Sequence, residues 1–72
     1  MRIMSYTCIS SIAQMKEKWL KEEVGVLIFR KIEIDPRGVG PLTQFVFCVD
    51  DEELEIVLKL KYPAGTFRDH MV

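Results

Sequence analysis

The chain has 72 residues, of which 49% are apolar and 29% are charged, a composition typical of a globular domain and far from that of a disordered or fibrous chain. Its 10 basic and 11 acidic side chains nearly cancel, which excludes strong overall steering toward nucleic acid or an anionic membrane. We expect one small α+β domain over residues 1–72, without an internal repeat.

Two features of the sequence favour a cytoplasmic protein that does not contact membranes. Residues 1–9 are too polar for the apolar region of a secretory signal, and no apolar run approaches the about twenty residues of a membrane-spanning helix. Two cysteines, Cys8 and Cys48, are too few for the disulfide framework of a small secreted domain. We therefore expect two free thiols in a reducing compartment.

The N-terminal segment predicts a short edge strand followed by a helix. In residues 1–9, apolar side chains alternate with small polar ones. Ser11 and Gln14 then have the spacing of a capping box, which marks the start of a helix. The apolar residues that follow fall on one helical stripe, formed by Ile12, Met15, Trp19 and Leu20. Gly25 predicts the end of the helix within a residue or two.

Three strands are predicted after the helix. From Val24 to Ile34 the apolar residues recur with a period of two, interrupted only by Arg30, which a β-bulge or a snorkelling side chain accommodates. A loop rich in proline and glycine follows at residues 35–41. Two more strands are predicted over 43–49 and 54–62, joined by a hairpin at the acidic tetrapeptide 50–53.

These elements predict an N-terminal helix packed on a three- to four-stranded antiparallel β-meander, in the order (β)-α-β-β-β. Residues 63–72 are expected to form a flexible C-terminal tail. One helix covers only one side of such a sheet, and the other side is predicted to carry a strip of apolar residues, namely Leu27, Phe29, Val46, Cys48 and Val57. We expect a second copy, another protein or the chain's own ends to cover this strip, with a homodimer as the favoured solution.

Four basic residues support an alternative, contact with nucleic acid. Lys31, Lys59 and Lys61 are predicted on one sheet face with Phe29, and Arg68 follows the last strand. Charge combined with aromatic stacking is the usual way to hold RNA or a single strand. Acidic residues on the same predicted sheet oppose this interpretation.

The sequence shows no arrangement typical of catalysis or metal binding. The single histidine, His70, lies near the chain end, and neither cysteine has the spacing of a zinc site. The carboxylates of residues 50–55 lack the ordered ligand positions of a calcium loop. The segment Arg37-Gly38-Val39-Gly40 lacks the further glycine or lysine of a phosphate-binding loop. We expect no cofactor, no metal and no catalytic residue.

The predicted element order resembles that of two known families in part. A helix followed by a three-stranded meander that runs into Tyr62-Pro63 resembles the first two thirds of an RWD-type interaction domain, although the C-terminal helix of that family is missing from the predicted order. The order is also similar to that of RelE-type ribonuclease toxins, a resemblance that implies RNA cleavage by Lys59, Lys61, Arg68 and His70. The paired helices and compact basic site of the toxins are not evident, so the chain is assigned to neither family.

Three hypotheses about function follow. The first is a non-enzymatic protein-interaction or regulatory module, acting as a homodimer or as a subunit of a larger complex through the second sheet face. The second is an RNA-binding protein or small ribonuclease. The third is a small viral or mobile-element inhibitor of a host protein, for which the acidic tetrapeptide would be the bait.

Overall fold

The computed structural model describes residues 2–35, 37–38 and 40–70. Strand β1 (Arg2–Ile9) leads into a continuous helical segment that consists of a 3₁₀ turn (Ser10–Ile12), helix α1 (Ala13–Trp19) and a π-helical turn (Leu20–Val24). The remaining elements are β2 (Leu27–Ile34), β3 (Leu42–Val49), helix α2 (Glu52–Lys61) and the short β4 (Arg68–Asp69). Pro36 and Val39 of the predicted loop and residues 71–72 of the predicted tail lie outside the described residues.

The four strands form one antiparallel sheet in the order β2-β3-β1-β4. Strands β1 and β2 both pair with β3, so they run in the same direction on either side of it, and α1 joins them as the crossover of a split βαβ unit. The second unit, β3-α2-β4, encloses β1 in the same way. This is the ferredoxin-like arrangement. The predicted α+β class, with an N-terminal helix packed on an antiparallel sheet, is therefore confirmed.

The predicted strand over residues 54–62 is wrong, because this segment forms α2. Its apolar residues alternate as in a strand, but in the helix they separate into a packed pair, Leu54 and Leu58, and an exposed pair, Ile56 and Leu60. The acidic tetrapeptide is a helix start rather than a hairpin. Asp51 caps the helix by accepting a hydrogen bond of 2.9 Å from the backbone N–H of Glu53.

Strand β1 occupies the place in the sheet that was predicted for residues 54–62. Met4 pairs with Phe47 and Tyr6 with Phe45, positions that the predicted hairpin assigned to the strand over residues 54–62. The prediction of β1 as a short edge strand is also wrong, because its eight residues pair with β3 on one side and Met4 and Ser5 pair with β4 on the other. Hydrogen-bonding partners of a strand depend on chain topology, and local alternation carries no information about them.

Helix α1 begins and packs differently from its predicted form. The Ser11–Gln14 capping box is absent from the start of the helical segment, and Ser10 instead shares a hydrogen bond of 2.8 Å with Thr43. Of the predicted stripe, Leu20 is buried whereas Met15 is exposed, and Ala13 and Val24 complete the buried side. Gly25 ends the helix in the left-handed region at φ 80°, as predicted.

A β-bulge in β2 explains the arginine that interrupts its apolar pattern. Ile28 pairs with Phe47 and Arg30 with Val46, so Phe29 is an extra residue in the ladder. The bulge turns Arg30 away from the helices, which confirms the bulge interpretation. The bulge also moves the side chains of Ile32 and Ile34 to the same side as Arg30. The prediction that these two isoleucines share a face with Ile28 is therefore wrong.

The core lies between the sheet and the two helices and includes a cluster of five aromatic rings. Phe67 is at its centre: its ring centroid lies 5.3 Å from Tyr62, 5.7 Å from Phe47, 5.9 Å from Tyr6 and 6.0 Å from Trp19. Phe67 belongs to the predicted tail 63–72, and the backbone N–H of His70 in the same segment donates to the carbonyl of Ile3 at 2.9 Å. Residues 67–70 thus pack against β1, and the mobility of the segment stays a prediction.

Candidate interaction surface on the open face of the sheet

Both helices pack on one side of the sheet, which leaves the other side uncovered by the described residues. We call this side the open face. Paired residues of neighbouring strands point to the same side, so the register separates the open face from the side that carries the core residues Met4, Cys8, Phe45 and Phe47. The open face consists of Ile3, Ser5, Thr7, Ile9, Leu27, Arg30, Ile32, Ile34, Leu42, Gln44, Val46, Cys48 and Arg68.

Three of the five predicted interaction residues lie together on the open face. Leu27 pairs with Cys48, and Val46 is two residues further along the same strand. Leu27 is 75% exposed, whereas Val46 is 1% exposed because it lies in a central strand between Arg30 and Ser5. Phe29 is the extra residue of the bulge and is exposed. Val57 lies on α2, so its predicted place on the sheet is wrong, although its side chain is exposed.

The structure adds apolar residues to this surface that the sequence did not indicate. Ile32 and Ile34 join it because the bulge reverses the faces of β2, and Ile3 and Ile9 join it because β1 is central rather than at the edge. Leu42 connects the two groups, since it pairs with both Ile9 and Ile34. The interruption at Arg30 is the sequence signal of the bulge, and a bulge reverses the faces of the isoleucines that follow it.

A row of four paired residues crosses the open face from edge to edge. Arg30 pairs with Val46, Val46 with Ser5, and Ser5 with Arg68. Neighbouring strands lie about 4.8 Å apart, so the backbones of the two arginines are about 14 Å apart. None of the residues that make up the open face is acidic, which gives the two edges of this face a positive charge.

A polar pocket lies at the β4 edge of the open face. It has a volume of about 320 Å³ and is lined by Ser5, Thr7, Gln44, Gly65, Thr66 and Arg68. Within the described part of the chain the guanidinium of Arg68 has no carboxylate within ion-pair distance. Among the described residues the lining therefore combines one cation with hydroxyl and amide groups, and contains no carboxylate.

The four predicted nucleic-acid contacts are not brought onto one surface. The Lys31 ammonium lies 6.0 Å from the ring of Phe45, on the helix side of the sheet. Lys59 forms an ion pair of 3.3 Å with Glu55, and the Lys61 ammonium lies 5.7 Å from the ring of Tyr62. Arg68 alone of the four lies on the open face.

The two cysteines lie on opposite sides of the sheet and are both free. Cys8 is buried in the core, where desolvation raises the pKa of its thiol, an effect that the positive charge of Lys16 partly offsets. Cys48 is half-buried on the open face beside Leu27. The sheet between them prevents a bridge within one chain.

The helix side carries an apolar cleft of about 330 Å³ between α2, β1 and β4, lined in part by Met4, Leu58, Tyr62 and Phe67. Arg2 at its rim pairs with Glu55 and, at 3.5 Å, with Asp69. The charged side chains at the rim of the cleft are thus already engaged in ion pairs. In the ranges described by the structure, no three histidine, cysteine or acidic side chains come together as a metal site.

None of the helices in the described ranges is long and apolar enough to cross a bilayer.

Comparison with known proteins finds no relative: no family model matches the chain, and neither the curated proteins nor the solved structures give a match. The RWD and RelE resemblances rested on a three-stranded meander after the first helix, and that meander is replaced by β2, β3 and α2.

Proposed function

We propose that this protein is a non-enzymatic protein-interaction module that forms a homodimer by packing two open faces against each other. The observation that carries the proposal is the apolar group on the open face, in which Leu27 and Ile9 are exposed around a buried centre at Val46. Apolar groups of this size on one surface are typical of interaction sites. The two helices pack on the other side of the sheet and do not bury these residues. A partner that covers them therefore stabilises the complex by removing apolar surface from water.

The area of the open face is sufficient for a specific contact between two copies. Strands β1, β2 and β3 each have eight residues, which gives a length of about 26 Å and a width of about 14 Å, to which the two-residue β4 adds a short strip. Two such faces cover about 800 Å² in flat projection, and more when the relief of the side chains is included. Specific interfaces bury about 1,000 Å² or more.

The free edge of the sheet is less suited to self-association than the open face. Edge strand β2 contains the bulge at Phe29 and carries charged side chains at Lys31 and Glu33, which are features that discourage strand addition. The net charge of −1 does not oppose dimerisation. The two arginines lie at the edges of the face, where water reaches the rim of an interface.

Sedimentation equilibrium over about 1 to 200 μM chain tests the proposal. We expect the wild-type chain to reach twice its monomer mass, and Leu27→Glu to remain monomeric because it places a carboxylate in the apolar contact. Leu60→Glu is the matched control, since Leu60 is 83% exposed on α2 and lies away from the open face. Higher salt should leave the dimer unchanged or tighten it, because salt screens the repulsion between arginines.

Two results would overturn this proposal. A monomer throughout the concentration range excludes self-association, and a dimer that Leu60→Glu dissociates while Leu27→Glu does not assigns the contact to α2.

The two unpaired thiols favour a reducing compartment such as the cytoplasm as the place of action. In that setting, a short bifunctional maleimide should link Cys48 of two copies, and Cys48→Ser should abolish the link.

A further inference from the structure

We propose that the polar pocket at the β4 edge binds a phosphate group, with Arg68 as its charged ligand. The pocket is formed within a single chain, but Ser5, Thr7 and Gln44 also belong to the open face, so phosphate binding is measured at a chain concentration below that at which the dimer forms. Of the six lining residues in the described part of the chain only Arg68 is charged, and its guanidinium is a planar cation with five hydrogen-bond donors. A pocket with one fixed positive charge and no carboxylate attracts anions.

The register of the strands places the polar groups in two adjacent rows. Ser5 and Arg68 are paired in one row, and Thr7 and Gln44 are paired in the next, about 7 Å further along β1. Thr66 lies just before β4 and lines the same pocket. Hydroxyl, amide and guanidinium groups can all donate hydrogen bonds to an oxyanion, so the donors surround the space from both rows and from the loop.

Arg68 differs from Arg2, the other arginine of the β1–β4 edge, in its contacts with the carboxylates of the described residues. Arg2 contacts both Glu55 and Asp69 on the helix side, whereas Arg68 has no such carboxylate among the described residues. The planar guanidinium can donate two parallel hydrogen bonds to a phosphate, which is a common way of binding this group. At about 320 Å³ the pocket exceeds the size of a bare phosphate, so a phosphate ester fits as well.

Nuclear magnetic resonance titration of the full chain with inorganic phosphate tests the site. We expect saturable shifts of the backbone amides of residues 5, 7, 44, 66 and 68, and at least about tenfold weaker binding in Arg68→Gln because the charge-assisted bonds are lost. Arg37→Gln is the matched control, since Arg37 is exposed in the loop between β2 and β3. Thr7→Val should weaken binding less than Arg68→Gln, because it removes one neutral donor and retains the charge.

A second titration with an eight-nucleotide oligouridine distinguishes the source of the phosphate. If the site binds a small phosphate ester, Arg30→Gln leaves the affinity for both probes unchanged. The phosphates could instead belong to a nucleic acid strand that runs along the row from Arg68 to Arg30. In that case Arg30→Gln weakens binding of the oligonucleotide but leaves the affinity for inorganic phosphate unchanged. The proposal is wrong if the shifts do not saturate, spread over unrelated lysines, or respond equally to Arg68→Gln and Arg37→Gln.

Discussion

At the level of single residues, the sheet gives the two cysteines different chemistry. Cys8 faces the core, and burial raises the pKa of its thiol above the ordinary value of 9.0, whereas Cys48 lies on the open face. Thiol alkylation requires the thiolate. At pH 8 and a concentration where the chain is monomeric, we therefore expect iodoacetamide to modify Cys48 first and Cys8 at least about tenfold more slowly, as measured by mass spectrometry after digestion.

The raised pKa of the Cys8 thiol also predicts the direction of a stability change at high pH. The folded chain holds the Cys8 proton more tightly than the unfolded chain does, so this contribution to stability is complete below the unfolded pKa and is lost as the pH rises through the folded pKa. Cys8→Ala should show a smaller decline in stability above pH 9 than the wild type. Modification of Cys8 before Cys48 in the folded chain would contradict both expectations.

At the level of elements, the sequence of α2 carries local signals of both a strand and a helix. The alternation of apolar residues between Leu54 and Tyr62 predicted a strand, whereas Asp51 at the cap, the acidic first turn and Lys59 and Lys61 in the last turn are typical of a helix. The segment forms a helix because a helix satisfies its own backbone hydrogen-bonding groups, whereas a strand paired with β3 would need an unoccupied side of β3. Strands β1 and β2 already occupy both of its sides.

Removal of the cap should destabilise α2 and, through it, the domain. We expect Asp51→Ala to lower the free energy of unfolding by about 1 kcal/mol, because the N–H of Glu53 loses its acceptor. Asp50→Ala is the matched control, since Asp50 precedes the cap residue in the chain. Urea denaturation followed by the fluorescence of Trp19 measures both variants, and equal losses would show that Asp51 does not act as a cap.

At the level of the whole molecule, Phe67 connects the C-terminal segment to both helices and the sheet. Its ring contacts Trp19 of α1, Phe47 of β3 and Tyr62 beyond α2. Phe67→Ala should lower the free energy of unfolding by roughly 2 to 3 kcal/mol, less than for a fully buried phenylalanine because the ring is half-buried. A domain of this length has a small margin of stability, so the effect on the folded population is large.

Phe29→Ala provides the comparison for Phe67→Ala, because the same atoms are removed from a ring that is 55% exposed in the β-bulge. In urea at a concentration where the chain is monomeric, its loss should be below about 1 kcal/mol. If Phe67→Ala has no larger effect than Phe29→Ala, residues 63–70 do not contribute to the packed core in solution, and the predicted flexible tail is the better description.

The sequence by itself determined the α+β class, the first helix with its end at Gly25, the strand over residues 43–49 and the interruption of the strand pattern at Arg30, for which a bulge was one of two interpretations. Each of these depends on neighbours within a few residues, through the helical or strand period and the conformations available to glycine. The central place of β1, the helical state of residues 52–61 and the membership of the open face were decided by tertiary structure. Strand order and register depend on contacts between residues far apart in the chain, and a single bulge reverses the face of every residue that follows it.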